Sequence, residues 1–369
     1  MKIAVLSSHT PSLFWFRVDM MKEFISRGYE VVAIGNEPSE KWKDRFNELG
    51  VRYIGTNIQR NGTNPFKDLC TLKSLYSLLK KENPDKVFTY QAKTIIYGNI
   101  ACKLLGIKEV YSLIAGMGSI FLKEDFKTKI LRKIIIEEYK ISLKHCKKIF
   151  FQNNDDVDVF KKNNIINTNK IVMIPGSGVN LDKFKPQSLP SEVSFECISR
   201  LIKDKGIKEY LQAAKIVKKD YPNTRFILVG PYDSNPSAIS KEEIQYYVDK
   251  NIVEYYGETD DVRPYLEQCS VYVLPSYREG MPKTVLEAMA SKKAIITTDV
   301  PGCKETVIDG YNGYLVPAKD PIALANKMIE LINNKDIIKQ MSINSRKLVE
   351  EKFDVKIVNK IICETMNIG

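Results

Sequence analysis

At 369 residues, 44% of them hydrophobic, the chain is too long for one ordinary domain and suits two with real cores. It holds no run near the roughly 20 apolar residues that span a bilayer, Met1–Ser7 reads as a strand rather than a leader, and seven cysteines lack CxxC or Cys/His pairing, which fits reduced cytosolic thiols and no zinc site. The net charge of +11 lies wholly in the first half, residues 1–185 carrying +12 and the remainder −1; this points to an anionic partner for the N-terminal domain, a basic background composition being the plainer alternative.

From the first residue, short β-branched and aromatic runs alternate with segments of helical period. The first set of strands is Lys2–Ser7, Glu30–Gly35, Arg52–Thr56, Lys86–Tyr90, Val110–Ile114, Lys148–Gln152 and Ile171–Ile174. Between the first two, Arg17–Arg27 places Met20, Met21, Phe24 and Ile25 on one helical face and stops at Gly28. A stretch poor in apolar residues with two prolines, Asp182–Ser191, predicts the boundary. The pattern then restarts with Val193–Ser199, Arg225–Gly230, Val253–Tyr256, Val271–Pro275, Ala294–Thr298 and Gly313–Val316. This alternation predicts an α/β chain of two Rossmann-like, doubly wound domains, 1–186 and 187–352, with the segment 353–369 packing back on the first. Two such domains facing across a cleft would place ligands at the C-terminal ends of their strands.

The strongest local signal is Glu279–Glu287, EGMPKTVLE, straight after the strand and loop Val271–Ser276. Pro282 suits a first helical turn, because its missing N–H costs nothing there. Backbone N–H groups of Gly280, Met281 and Lys283, around Pro282, then form an anion-binding helix N-terminus, bracketed by Glu279 and Glu287, whose carboxylates can accept hydrogen bonds from sugar or ribose hydroxyls. A second signal is Ser199–Gly206, SRLIKDKG, where Arg200 and Lys205 leave a strand-to-helix turn and can neutralise a diphosphate. Taken alone, each glutamate or cation reads more readily as a solvated surface group.

Together these features resemble the retaining glycosyltransferases of family 4, which have the GT-B fold. The resemblance runs through PGSGVN (Pro175–Asn180), YGETDD (Tyr256–Asp261), LPSYREGMPKTVLEAMA (Leu274–Ala290), Pro301–Val307 and DGYNGYLVP (Asp309–Pro317). It implies that Glu279 holds donor-sugar hydroxyls, Glu287 the ribose, Arg200 and Lys205 the diphosphate, and the backbone at Gly257 and Glu258 the base. Phe16–Arg17, Lys93, Tyr97–Gly98, Gly116–Gly118 and Phe121 look like a bacterial subgroup that extends sugars carried on undecaprenyl diphosphate. By that likeness Arg17, Lys93 and Gly118 belong to the acceptor site, and LVGPYDSNPS (Leu228–Ser237) resembles members that add N-acetylgalactosamine. The sequence departs from the family in two places: SSHTPSLF (Ser7–Phe14) lacks a Gly-Gly pair, and QAK (Gln91–Lys93) stands where relatives often have a histidine. Of the two histidines, His9 is an acceptor-site candidate with a structural role as the alternative, and His145 is expected to be exposed on a basic helix.

That helix lies within Lys123–Lys148, where nine Lys/Arg face four Asp/Glu and apolar residues recur at helical spacing. It reads either as an interfacial helix on an anionic leaflet or as an ordinary packed helix. The expected function is retaining transfer of a hexose or N-acetylhexosamine, N-acetylgalactosamine fitting best, from a UDP-sugar to an undecaprenyl-diphosphate-linked saccharide. No cofactor and no metal is expected. The expected partners are UDP-sugar, lipid-diphosphate-linked sugar and the inner face of the cell membrane, with the protein cytoplasmic and no nucleic acid bound. A UDP-sugar epimerase or hydrolase, a sugar-nucleotide sensor and a nucleic-acid binder remain as alternatives.

Overall fold

The β-branched and aromatic runs become parallel strands, and the segments of helical period fold back between them as crossover helices. A computed structural model describes residues 1–59, 64–117, 121, 125–233 and 236–369. The chain divides into two units, Met1–Ser177 with Val355–Gly369, and Gly178–Asp354.

The first unit holds β1 (Lys2–Ser7), α1 (Thr10–Ser26), β2 (Glu30–Gly35), α2 (Ser39–Asn47), β3 (Arg52–Gly55), α3 (Pro65–Glu82), β4 (Lys86–Tyr90), α4 (Asn99–Leu105), β5 (Glu109–Ile114), α5 (Phe126–Leu143), β6 (Lys148–Phe151), α6 (Asn154–Lys162) and β7 (Ile171–Met173). Its parallel sheet runs β3-β2-β1-β4-β5-β6-β7, so the strand order reverses between β1 and β4. Alternation along β1 feeds two cores: Ala4 and Leu6 pack with Ile95, Ile136 and Tyr139, while Ile3 and Val5 pack with Met21, Phe24 and Ile362.

The second unit holds β8 (Ser194–Ile198), α7 (Ile207–Val217), β9 (Arg225–Val229), α8 (Lys241–Asp249), β10 (Glu254–Tyr255), α9 (Arg263–Leu266), β11 (Val271–Leu274), α10 (Lys283–Ala290), β12 (Ala294–Thr298), β13 (Gly313–Val316), α11 (Pro321–Ile332) and α12 (Lys335–Leu348). Its sheet is again parallel, in the order β10-β9-β8-β11-β12-β13. The reversal falls between β8 and β11, whose following loops carry SRLIKDKG and EGMPKTVLE.

The crossing between units comes earlier than the expected residue 186. Val179 and Phe184 are buried in the second unit's core, and the Val179 N–H donates to the Phe353 carbonyl at 2.9 Å. The proline-rich stretch therefore lies on the second unit's surface after the chain has crossed. Phe353 is buried in that same core, and the return to the first unit comes at Val355. There α13 (Val355–Thr365) lies against α1, the Asn359 amide donating to the Asp19 carbonyl at 3.2 Å and Lys86 Nζ to the Met366 carbonyl at 2.8 Å.

One core position breaks the apolar pattern. Glu196 on β8 is fully buried, and burial pushes its carboxyl from the ordinary 4.5 up to about 8, the Cys269 thiol and Lys293 offsetting this only in part. The folded chain thus keeps a proton that the unfolded chain releases near pH 4.5, so this group's stabilising contribution falls as pH rises from about 4.5 to about 8. Glu196→Gln removes the titration. The difference in melting temperature between variant and wild type should shift in the variant's favour across that window; parallel profiles would contradict the assignment.

Candidate active site

In the second unit, β8 leads into Arg200, then a tight turn at Lys203–Lys205 and Gly206. Gly206 has φ +70°, and a Cβ there would lie 2.0 Å from the Pro275 carbonyl oxygen, so only glycine lets the two loops meet. This contact brings Lys205 to Glu279: Lys205 Nζ forms an ion pair with Glu279 Oε1, and Ser276 Oγ donates to the same oxygen at 2.7 Å. The Glu279 backbone is fixed as well. Its N–H donates to the Pro301 carbonyl at 2.9 Å, and Gly302, at φ +86°, lies so close that a Cβ would sit 2.4 Å from the Glu279 carbonyl oxygen.

Arg200 does not join this pair. Its Nη1 donates to Asp233 Oδ2 at 2.9 Å, and its side chain stays exposed. Lys205 is thus held beside Glu279, while the loop after β9 presents a carboxylate to Arg200.

The helix after Glu279 starts one residue later than expected. Pro282 is the N-cap of α10, and Val285 and Leu286 already donate to its carbonyl. The N–H groups of Lys283 and Thr284 thus open the helix with no helical acceptor behind them. Gly280 is buried and Met281 half-buried beside them. Glu287 lies on the same helix with Lys283 Nζ 4.0 Å from its Oε1, and burial raises its carboxyl pKa while Lys283 and Lys183 oppose the shift. Across the β8 strand, Gly257 adopts φ +72° and its carbonyl accepts the Gly230 N–H at 2.7 Å; Glu258 follows, exposed.

In the first unit, the β1–α1 loop that lacks a Gly-Gly pair is filled by hydroxyls instead. Gln91, in the left-handed region at φ +72°, accepts from Ser7 Oγ at 2.9 Å and Ser8 Oγ at 3.0 Å and donates to Ser12 Oγ at 3.0 Å. His9 caps α1 through its backbone, its carbonyl accepting from the Ser12 N–H and hydroxyl. Lys93 is paired with Asp68 and lies 5.5 Å from the Tyr97 ring, whose hydroxyl donates to Glu138 at 3.0 Å. Tyr97 belongs to a π-helical turn, Thr94–Gly98, of the kind frequent at functional sites. Arg17 is buried 4.8 Å over the Tyr90 ring, donates to Ser177 Oγ at 3.1 Å, and has no carboxylate partner among the described residues. Burial lowers its pKa to about 10, so it stays charged at neutral pH. Gly118 lies outside the described residues. His145 corrects the expectation of an exposed ring: it follows α5, is half-buried, and its Nε2 lies 2.7 Å from the Ile107 carbonyl.

Among the described residues no three of His, Cys, Asp and Glu stand together as a metal-ligand set. No described helix is long and apolar enough to cross a membrane.

Two parallel sheets, each with its loops gathered at a strand-order reversal, give the architecture of the GT-B glycosyltransferases. The chain belongs to the glycosyltransferases: the profile "Glycosyl transferases group 1" matches residues 180–348, and "Glycosyl transferase 4-like" matches residues 2–153. It is 31% identical, over 91% of each chain, to N,N'-diacetylbacillosaminyl-diphospho-undecaprenol alpha-1,3-N-acetylgalactosaminyltransferase of Campylobacter jejuni. It is 29% identical to UDP-Gal:alpha-D-GlcNAc-diphosphoundecaprenol alpha-1,3-galactosyltransferase of Escherichia coli, over 80% of this chain and 78% of that one. In fold it is similar to sucrose-phosphate synthase of Thermosynechococcus elongatus (TM-score 0.83, 19% identity, 100% of this chain and 98% of that one). Anabaena HepE in complex with UDP and glucose is likewise similar (TM-score 0.79, 17% identity, 100% and 99%).

Sequence reasoning passed over Ser276, Asp233, Asp68 and Gln91. Ser276 and Asp233 stood inside segments already singled out, so closeness to Glu279 and to the β9 loop was the available signal. Asp68 carries none, because its pairing with Lys93 joins α3 to the loop after β4.

The Gly302 contact can be tested against Gly310, which also has positive φ, +76°, but where a Cβ would meet nothing within 4 Å. Either change to Ala strains the backbone by roughly 1–2 kcal/mol. Gly302→Ala should in addition displace Glu279, so that UDP-sugar binding falls at least tenfold below that of Gly310→Ala by calorimetry. Equal binding by the two would mean that the turn can yield.

Proposed function

We propose that the protein transfers a hexose or N-acetylhexosamine, N-acetylgalactosamine fitting best, from a UDP-sugar to an undecaprenyl-diphosphate-linked saccharide with retention at the anomeric carbon. The observation that carries this reading is the Lys205–Glu279 pair beside the open N-terminus of α10. The two curated relatives support the lipid-linked acceptor, and their names diverge on the sugar added.

The roles follow from charge and reach. Glu279 accepts hydrogen bonds from donor-sugar hydroxyls, and Glu287 from the ribose. Lys205, Arg200 and the N–H groups at Met281, Lys283 and Thr284 stabilise the departing diphosphate, with Gly280 and Pro282 shaping the turn and Gly257–Glu258 bordering the base. The bond between the anomeric carbon and the diphosphate oxygen breaks, the acceptor hydroxyl oxygen bonds to that carbon, and its proton passes to the leaving diphosphate. For Lys205 and Arg200 to engage the diphosphate, each must exchange its present carboxylate, Glu279 and Asp233 respectively. Arg17, with no carboxylate partner among the described residues, binds the acceptor diphosphate, with His9, Lys93 and Gly118 bordering that site. No metal is required.

Lys205→Ala and Arg200→Ala should each lower turnover by roughly 10²–10³, the scale of losing one electrostatic stabiliser. Wild-type activity should survive EDTA. Wild-type rates in both variants would overturn the diphosphate assignment, and loss in EDTA restored by Mg²⁺ or Mn²⁺ would overturn the metal-free reading.

The same reading places the protein on the inner face of the cell membrane. On α5, Phe126, Ile130, Ile134 and Ile141 are all exposed, and at about 100° per residue they fall within an arc of about 80°. That stripe opposes the buried face of Ile136, Tyr139 and Leu143, and lysines 127, 129, 133, 140 and 144 border it. Apolar residues can enter the headgroup boundary while each lysine adds about 1 kcal/mol at an anionic surface. Reversing Lys129, Lys133, Lys140 and Lys144 to Glu should release the protein from phosphatidylglycerol vesicles and leave UDP binding unchanged. A wild type that ignores such vesicles at low salt would contradict the docking.

A further inference from the structure

The Lys205–Glu279 pair poses a problem for the transfer proposed above. When Lys205 moves to the diphosphate, Glu279 loses its counter-ion inside a site where its side chain is only 12% exposed. A long carboxylate released in this way would turn toward Lys205 or toward water, and would no longer present one fixed oxygen to a sugar hydroxyl.

Ser276 is placed to prevent this. It is fully buried, and its hydroxyl donates to Glu279 Oε1, the oxygen that Lys205 also holds. The Ser276 backbone is fixed from behind, its carbonyl accepting from the hydroxyl of Thr298, which is itself fully buried on β12. With the Glu279 main chain held by Pro301 and Gly302, the freedom left to the carboxylate is rotation about its side-chain bonds. A hydroxyl pinned at both its backbone and its donor end removes much of that freedom.

We propose that Ser276 is a positioning residue that keeps Glu279 Oε1 in place while Lys205 is exchanged from Glu279 to the donor diphosphate, so that Oε2 meets the sugar hydroxyls in a constant geometry. This rests on the donor-binding reading of Glu279 and Lys205. Ser276 touches the carboxylate rather than the donor, and its effect is on how well sugars differing at one hydroxyl are told apart. A hydrogen bond to a charged group that orients a carboxylate in a closed site commonly accounts for about a tenfold effect.

The test uses the full chain with UDP-N-acetylgalactosamine and its C4 epimer UDP-N-acetylglucosamine, a lipid-diphosphate-linked N-acetylhexosamine acceptor, and UDP alone as the binding probe. Ser276→Ala should lower kcat for the preferred donor about tenfold and narrow the preference between epimers by a similar factor. Its affinity for UDP and its melting temperature should stay at wild-type values, and Ser276→Thr should restore both kcat and preference. Wild-type kcat and preference in Ser276→Ala, with Glu279→Ala inactive, overturns the proposal. So does a fall in UDP affinity that matches the fall in kcat, since that marks general damage to the loop. If Ser276→Ala does not fold, Ser276→Cys, which keeps the volume and weakens the donor, is held to the same criteria. Wild-type turnover in both Lys205→Ala and Glu279→Ala would instead overturn the reading of the site itself.

Discussion

The contact of Gly206 with the Pro275 carbonyl is the constraint on which the second unit's chemistry rests. Parallel strands deliver their following loops to one end of the sheet, but they do not by themselves bring two loops into van der Waals contact. A side chain at position 206 would keep the β8 and β11 loops apart, and Lys205 would then fall short of Glu279. Gly302 repeats the device one loop further on, locking the Glu279 backbone against the turn after β12. Two missing side chains thus hold a lysine and a carboxylate together at the mouth of α10, where the backbone offers N–H groups to an anion.

Three cations in the chain show how differently a buried charge can be kept. Lys205 is neutralised by Glu279 and Lys93 by Asp68, so each needs an exchange of partners before it can serve a ligand. Arg17 is buried with no carboxylate partner among the described residues, supported by the Tyr90 ring and the Ser177 hydroxyl, and burial has lowered its pKa. A guanidinium in that state gains more from an incoming anion than a lysine that must first give one up. Arg17 thus carries more unmet charge than Lys205 or Lys93, although the second unit carries the more recognisable motif.

Much of this was legible in the sequence, and the reasons are physical. A parallel strand buried on both faces writes itself as a short apolar run, so the strands of both sheets could be read with their ends nearly correct. Glu279 and Lys205 could be named because they fall in loops directly after strands, where position along the chain nearly dictates position at the sheet edge. Arg200 could be placed on the right loop, but its pairing with Asp233 depends on a neighbouring strand's loop that periodicity does not describe. The unit boundary was misjudged for a similar reason: the proline-rich composition of Asp182–Ser191 marks an irregular surface path, whereas the crossing is set by Val179 pairing with Phe353 from the far end of the second unit. His145 was misread because helical period says nothing of the Ile107 carbonyl that receives its ring.

The proposed reaction moves a sugar from a nucleotide to a lipid-linked acceptor with the anomeric configuration kept. It is tested most directly by following UDP release and product together, from UDP-N-acetylgalactosamine with and without an undecaprenyl-diphosphate-linked N-acetylhexosamine, and reading the new linkage by NMR. UDP release should depend on the acceptor, and the product should be α-linked. UDP released equally fast without acceptor, or a β-linked product, would contradict it.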